Sequence, residues 1–275
     1  MKSAVIQLPQ SRFGDLLRRH RTARRTSQLD LALEAGISAR HLSFIETGRA
    51  GPSRELVLRL GETLELTMRA QNELLEAAGY ATVFRETALS APRMAGVHTA
   101  LEHILRQQEP FPALVVDPGW NIVARNRAAV RLGKAFIEPD NFHAAGEASR
   151  NAMKLIFDPL LLRPYVLDWE RKAVEILQRL RWEAANPVYR NAVEQLIEDL
   201  LNYPGVRQAS SLSAAANDPL MTVRLRKDDL RINYFSVIST FITPQDITLE
   251  ELRIKSFFPA DPETGQVFQK LAETT

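Results

Sequence analysis

SQLDLALEAGISARHLSFIE, Ser27 to Glu46, divides into two short helices joined by a tight turn. Ser27 stands at an N-cap position, and Asp30, three residues on, is placed to reach back to its amide. Leu31, Ala32 and Ala35 share one helical face, and Ala32 is small enough to let a second helix approach closely. Gly36 supplies the left-handed residue that closes the first helix and turns the chain. Ile37 plugs the corner and Ser38 caps the second helix. Leu42 and Ile45 then point inward, which leaves Ala39, Arg40, Ser43 and Phe44 outward. The spacing is that of a helix-turn-helix, with its second helix free to enter a DNA major groove.

The flanks extend the pattern. Phe13 to Arg21 reads as a helix with Phe13, Leu16 and Leu17 on its apolar side and Arg18 and Arg19 in water, as are Arg24 and Arg25 beyond it. After a loop through Gly48 and Arg49, Pro52-Ser53 opens a helix carrying Leu56, Val57 and Leu60, and Thr67 opens a fifth with Leu74, Leu75 and Ala78 inward. Residues 1–60 hold 11 Lys and Arg against 5 Asp and Glu, a net of +6; the other 215 carry 24 against 28, a net of −4. A basic head on a slightly acidic body is the electrostatic footprint of a chain whose head meets phosphate.

Gln28, Leu31-Ala32, Gly36-Ile37-Ser38, Ile45-Glu46 and Gly48-Arg49…Pro52-Ser53 together resemble the DNA-binding domain of the phage-repressor (Cro/XRE-type) family, from about Phe13 to Tyr80. The resemblance implies a five-helix domain, Gln28 on a phosphate, and Ser38, Ala39, Arg40 and Ser43 near base edges and backbone. It also implies an ion pair between Arg21 and Glu46. Arg40 is the residue expected to read a base, because a guanidinium pairs bidentately with guanine. Arg49 and Arg54 sit where such loops touch the DNA backbone.

Tyr80 to Met94 has no clear period and reads as a linker, followed by a helix from about Arg93 to Gln108 on the stripe Val97, Leu101, Ile104 and Leu105. Pro110-Phe111-Pro112 breaks that helix. Ala113 to Asp117 and Trp120 to Ala124 then form a strand pair around the turn residues Asp117-Pro118-Gly119, and Asn126 caps a helix. Helices are expected over Asn151–Phe157, Asp168–Ala184 and Pro187–Leu201. Strands are expected over Leu220–Arg226, Leu230–Phe241 and Glu250–Phe258, with Lys227-Asp228-Asp229 as the hairpin turn. In the last strand Leu252, Ile254, Ser256 and Phe258 alternate with Arg253, Lys255 and Phe257, so one face is expected in the core.

FPALVVDPGWNIVARN, NAMKLIFDPLLLRPYVLDWE and the closing TPQDITLEELRIKSFFPADPET resemble the MmyB-like transcription regulators, whose body is a PAS-like ligand-binding domain. The fold class expected is therefore α+β: a five-helix head over 11–80, a linker and connecting helix over 81–108, and a PAS-like domain over 109–275. The resemblance implies a pocket for a small apolar, fatty-acid-like molecule. Trp120, Phe157, Leu161, Leu162, Tyr165, Trp169, Tyr234 and Phe235 are the residues able to line it. Arg163 or Arg150 would meet a carboxylate head group, or else form ordinary ion pairs with Asp158, Asp168 or Glu170.

The chain contains no cysteine, which excludes disulfides, cysteine nucleophiles and thiolate metal sites. Neither a signal peptide nor an apolar run of about 18 residues is evident, so a cytoplasmic protein with no membrane partner is expected. No metalloprotease, nucleophile-elbow or phosphate-loop motif occurs, and the five histidines are scattered, so no catalysis, metal or cofactor is expected. Two rivals stand beside the apolar-ligand reading: a haem- or flavin-sensing body, and a body that only dimerises or binds a protein. The partners expected are a double-stranded DNA operator, a second copy of the chain and the apolar ligand.

Overall fold

The structure, a computed structural model, describes residues 9–185, 189–209 and 220–273. The expected helix start at Pro187 lies outside them. The described residues form two compact units: those up to Ala88 together with Thr243–Glu250, and those from Leu89 to Ile242 together with those from Glu251 on.

The first unit is built on α1 (Pro9–Ala23), α2 (Gln28–Glu34), α3 (Ala39–Glu46), α4 (Arg54–Thr63) and α5 (Met68–Ala77). Four side chains start four of these helices in the same way. Ser27, Ser38, Ser53 and Thr67 accept from the amides of Asp30, His41, Leu56 and Ala70 at 3.1, 3.1, 3.3 and 3.4 Å. The reciprocal contact expected of Asp30 is made to the Ser27 hydroxyl, at 2.6 Å, instead of to its amide. Gly36 at φ +65° ends α2. The amides of Gly36 and Ile37 then bond back to the carbonyls of Leu33 and Ala32, at 3.1 and 2.9 Å, and so satisfy the last turn. Phe13, Leu17, Leu31, Leu42, Ile45, Leu60 and Leu74 fill the core. Gly14 lets α1 lie against the end of α3, since a Cβ there would stand 2.4 Å from the Glu46 carbonyl oxygen.

Beyond α5 the chain is tied down. The Asn72 side chain donates to the Phe84 carbonyl at 2.7 Å and accepts from the amides of Val83 and Phe84 at 3.0 and 3.1 Å. The distant segment 243–250, which carries most of α13 (Ile247–Glu251), belongs to this unit. Asp246 accepts from the Thr87 amide and hydroxyl at 3.2 and 2.5 Å. Glu250 accepts from the Met68 amide at the start of α5, at 3.0 Å.

The second unit opens with α6 (Ala95–Gln107), then β1 (Ala113–Val116), β2 (Ile122–Arg125) and α7 (Arg127–Phe136). The short helices α8 (Pro139–Ala144) and α9 (Lys154–Phe157) precede the long α10 (Trp169–Ala184), α11 (Arg190–Leu201) and the single turn α12 (Val206–Ala209). Strands β3 (Thr222–Lys227), β4 (Leu230–Ser239) and β5 (Arg253–Pro259) follow, with α14 (Pro262–Glu273) last. The five strands form one antiparallel sheet in the order β2-β1-β5-β4-β3. Lys227 pairs with Leu230 across a two-residue turn, as the charged hairpin predicts.

Central β5 corrects one expectation: both of its faces are buried. Leu252 and Ile254 meet Leu101 and Leu105 of α6 together with Ala113 and Val115. On the opposite side Phe257 joins the main core with Trp120, Ile176 and Leu177. A sheet covered on both faces does not leave its alternate residues in water, and Arg253 and Lys255 are accordingly buried. Asn126 locks the start of this unit. Its carbonyl oxygen accepts from the amides of Ala113 and Ala129, at 3.0 and 2.9 Å, and its amide donates to the carbonyls of Leu105 and Phe111, at 3.2 and 2.8 Å.

Candidate DNA-reading surface and ligand cavity

α3 buries Leu42, Ile45 and Glu46 and turns its other side outward. Ser38 and Arg40 are exposed, Ser43 and Phe44 half-buried, and Ala39 half-buried against the core. Ser38 spends its oxygen on the His41 amide, which leaves its hydroxyl hydrogen to donate. The Arg40 guanidinium carbon lies 5.3 Å from the centre of the Phe44 ring, and that of exposed Arg49 lies 6.0 Å from it. Sequence reading assigned Phe44 no task; here it is the shared platform for two cations. Gly48 at φ +70° turns the chain after α3, and the Arg49 amide bonds back to the Phe44 carbonyl at 2.8 Å, so the backbone fixes Arg49 beside the ring.

Beneath this surface Arg21 and Glu46, 8% and 7% exposed, form a two-pronged pair. Arg21 Nε and Nη2 donate to the two carboxylate oxygens at 2.7 and 2.9 Å. Gln28 adds a third donor to Glu46 at 2.7 Å. One amide hydrogen of Gln28 is therefore turned inward, and a phosphate contact has only its second to draw on.

In the second unit an apolar cavity of about 290 Å³ lies between β1, α7, α9 and β5. Leu114, Ile122, Leu132, Ile137, Ile156, Leu162, Tyr234, Lys255 and Phe257 are among its walls. Of the residues expected to line a pocket, Leu162 and Tyr234 do so. Trp120 lies in an adjoining cavity of only about 20 Å³, which shares Ile156, Tyr234 and Lys255 with the larger one. Phe157, Leu161, Tyr165 and Trp169 are placed otherwise. Phe157 packs on Trp169 at 6.1 Å and Tyr165 on Phe136 at 5.6 Å, while the Trp169 indole donates to the Ile156 carbonyl. Leu161 is wholly buried in the core. Phe235 stacks on Phe258 and borders a separate, polar groove.

The arginines suggested as head-group partners fall elsewhere as well. Arg150 is exposed. Arg163 lies 3.6 Å above the Trp169 ring, and burial lowers its pKa. Asp168 pairs instead with Arg224. What sequence reading missed is a buried cationic group around Trp120. Arg253, Lys255 and Arg179 stand 4.5, 5.4 and 5.5 Å from its ring. Burial above all, then Arg179 and Arg253, pushes the Lys255 ammonium down to about 7. Burial and Arg179 lower Arg253 to about 10.

Among the described residues no group of three or more His, Asp or Glu side chains is placed to hold a metal, and no helix is long and apolar enough to cross a membrane. Residues 12–75 match a helix-turn-helix domain. Among solved structures, the clp gene regulator ClgR from C. glutamicum is 26% identical over 26% of this chain and 91% of that one, with a TM-score of 0.24. The restriction-modification controller protein C.AhdI from Aeromonas hydrophila is 31% identical over 22% of this chain and 94% of that one, with a TM-score of 0.22. An RNA-binding light-oxygen-voltage receptor is 15% identical over 96% of this chain and 64% of that one, with a TM-score of 0.27. No curated protein matches the chain. Residues 97–271 match the MmyB-like transcription regulator ligand binding domain. The chain belongs to the MmyB-like transcription regulators, with a helix-turn-helix DNA-binding head ahead of the family's ligand-binding domain.

Proposed function

We propose that the protein is a cytoplasmic, homodimeric regulator whose head reads an inverted-repeat operator and whose body binds a small apolar, fatty-acid-like molecule. The observation that carries this reading is one chain holding both an outward α3 with exposed Arg40 and an apolar cavity of about 290 Å³. Arg40 reads a base edge, Ser38, Ala39 and Ser43 lie close to bases and backbone, and Gln28, Arg49 and Arg54 hold phosphates. The Arg21–Glu46 pair supports that surface without touching DNA. Two heads meet half-sites about 10 base pairs apart or a multiple of that. The ligand shifts the placement of the heads by no more than its differential affinity for the two dimer arrangements.

Organic extraction of the purified full-length chain, followed by mass spectrometry, tests the body's part. An apolar acid recovered in near-stoichiometric amount is the expected result. An empty extract, with no stabilisation by added fatty acid, would reduce the body to a dimerisation or protein-binding module. Visible absorbance from flavin or haem would replace the ligand class altogether.

A further inference from the structure

Three cations crowd one indole in the second unit, and two of them have no anionic partner among the described residues. Lys255 is 6% exposed, Arg253 is 4% exposed and Arg179 is half-buried on α10. Arg253 has a carboxylate partner, Glu183, and also donates to the carbonyls of Asp117 and Pro118 at 2.9 and 3.1 Å. Lys255 and Arg179 have neither a carboxylate nor a hydrogen-bond acceptor among the described residues; their cationic groups lie against aromatic faces. Unmatched buried charges of one sign are strongly unfavourable unless an anion joins them or a proton is given up.

A second observation concerns Trp120. Its indole Nε1 is buried with no acceptor, and its backbone is held at φ +64°, a conformation an aromatic residue rarely takes. The hold is deliberate in its chemistry. Asp117 accepts from the Asn121 amide and side chain, both at 2.9 Å, and Asn151 donates to the Gly119 carbonyl at 2.8 Å and to the Asn121 side chain at 3.0 Å. The Trp120 carbonyl accepts from Ala152 at 2.9 Å. Strained residues held by their surroundings in this way cluster at ligand sites.

We propose that Lys255, Arg179 and the Trp120 indole receive the acidic head of an amphiphilic anion whose apolar tail fills the 290 Å³ cavity. Lys255 is a wall of both spaces, so a molecule with its tail among Leu114, Leu132 and Ile137 brings its head to the ammonium group. The space beside Trp120, about 20 Å³, admits about one water-sized group, which suits a carboxylate better than a phosphate or sulfate. The assignment rests on the cavity being an apolar-ligand site and adds the head group, its orientation and its anchors.

The test compares decanoate with 1-decanol, two probes of equal tail, on the lipid-stripped full-length chain by calorimetry. The native protein is expected to favour decanoate by about ten- to a hundredfold, the scale of one charge-assisted hydrogen bond. Lys255→Met removes that preference, so that decanoate and decanol bind equally. Arg179→Met, on a half-exposed helix face, moves it the same way and serves if the first variant does not fold. Equal binding of the two probes to the native chain overturns the head-group assignment and leaves the cavity reading intact. Loss of the decanoate preference in Arg163→Met, with Lys255→Met unaffected, also overturns it. Binding of neither probe overturns the cavity reading, and the anchors with it.

Discussion

Replacing Glu46 by alanine is expected to unfold the head, not to change what it reads. Glu46 is 7% exposed and receives three charged or polar donors, two from Arg21 at 2.7 and 2.9 Å and one from Gln28 at 2.7 Å. Its removal leaves the Arg21 guanidinium, 8% exposed, with one remaining bond to the Thr26 carbonyl at 3.0 Å. Breaking a buried pair from one side costs about 3–5 kcal/mol. A helical head of this size has a total stability of only about 3–10 kcal/mol at ordinary per-residue values. Thermal unfolding of the full chain, followed by circular dichroism, should show a helical transition displaced to much lower temperature, with DNA binding lost on all sequences together. The double change Arg21→Met with Glu46→Leu is expected to restore most of the loss, because an apolar pair of similar volume replaces a buried ion pair at little cost. A Glu46→Ala protein with unaltered melting and an altered operator preference would refute this reasoning and make Glu46 part of the reading surface.

Further outcomes follow from other contacts. Phe44→Ala removes the ring under both Arg40 and Arg49 and should weaken operator binding by about 0.5–1 kcal/mol for each cation released, read by fluorescence anisotropy. Asn126→Ala strands two amides and two carbonyls of the second unit and removes a helix cap; a loss of about 2–4 kcal/mol in denaturant unfolding is expected. Lys255→Met should stabilise the ligand-free protein at pH 7 by about 1–4 kcal/mol. The groups that face Lys255 are Arg253, two residues before it on β5, Arg179 from α10 and Tyr234 from β4, which lines the same two cavities. Burial above all, then Arg179 and Arg253, holds its folded pKa at about 7, below the unfolded value of about 10.4. Between those values the unfolded chain binds more protons, so native stability rises with pH. The advantage of the methionine variant therefore narrows from pH 7 toward pH 10 in parallel melts.

The head was legible because its signals are local. Ser27, Ser38, Ser53 and Thr67 declare helix starts within three residues of themselves, and Gly36 declares a stop. Arg21 and Glu46, 25 residues apart, came from the family likeness alone. In the body, Asn126 was legible as a cap, but its bonds to Leu105 and Phe111 were not, since nothing local marks them. The walls of the cavity were read poorly for a specific reason. Large aromatics such as Phe157 and Trp169 satisfy a core as well as a cavity, and composition does not separate the two. Arg253 and Lys255 were misassigned because alternation in β5 matches a strand with one wet face, whereas α6 and α10 lie on opposite sides of the sheet. Glu250 was read as the start of the last strand but lies in α13, and Asp246 was given no task; their partners Met68 and Thr87 lie more than 150 positions away.

The most direct measurement is the affinity of full-length native and Arg40→Ala protein for a duplex enriched by in vitro selection, beside a random duplex, at one fixed salt concentration. A loss of about 1–3 kcal/mol on the selected duplex, with binding to random DNA unchanged, is what an outward, base-reading α3 predicts. An equal loss on both duplexes would place Arg40 on phosphate alone and contradict that assignment.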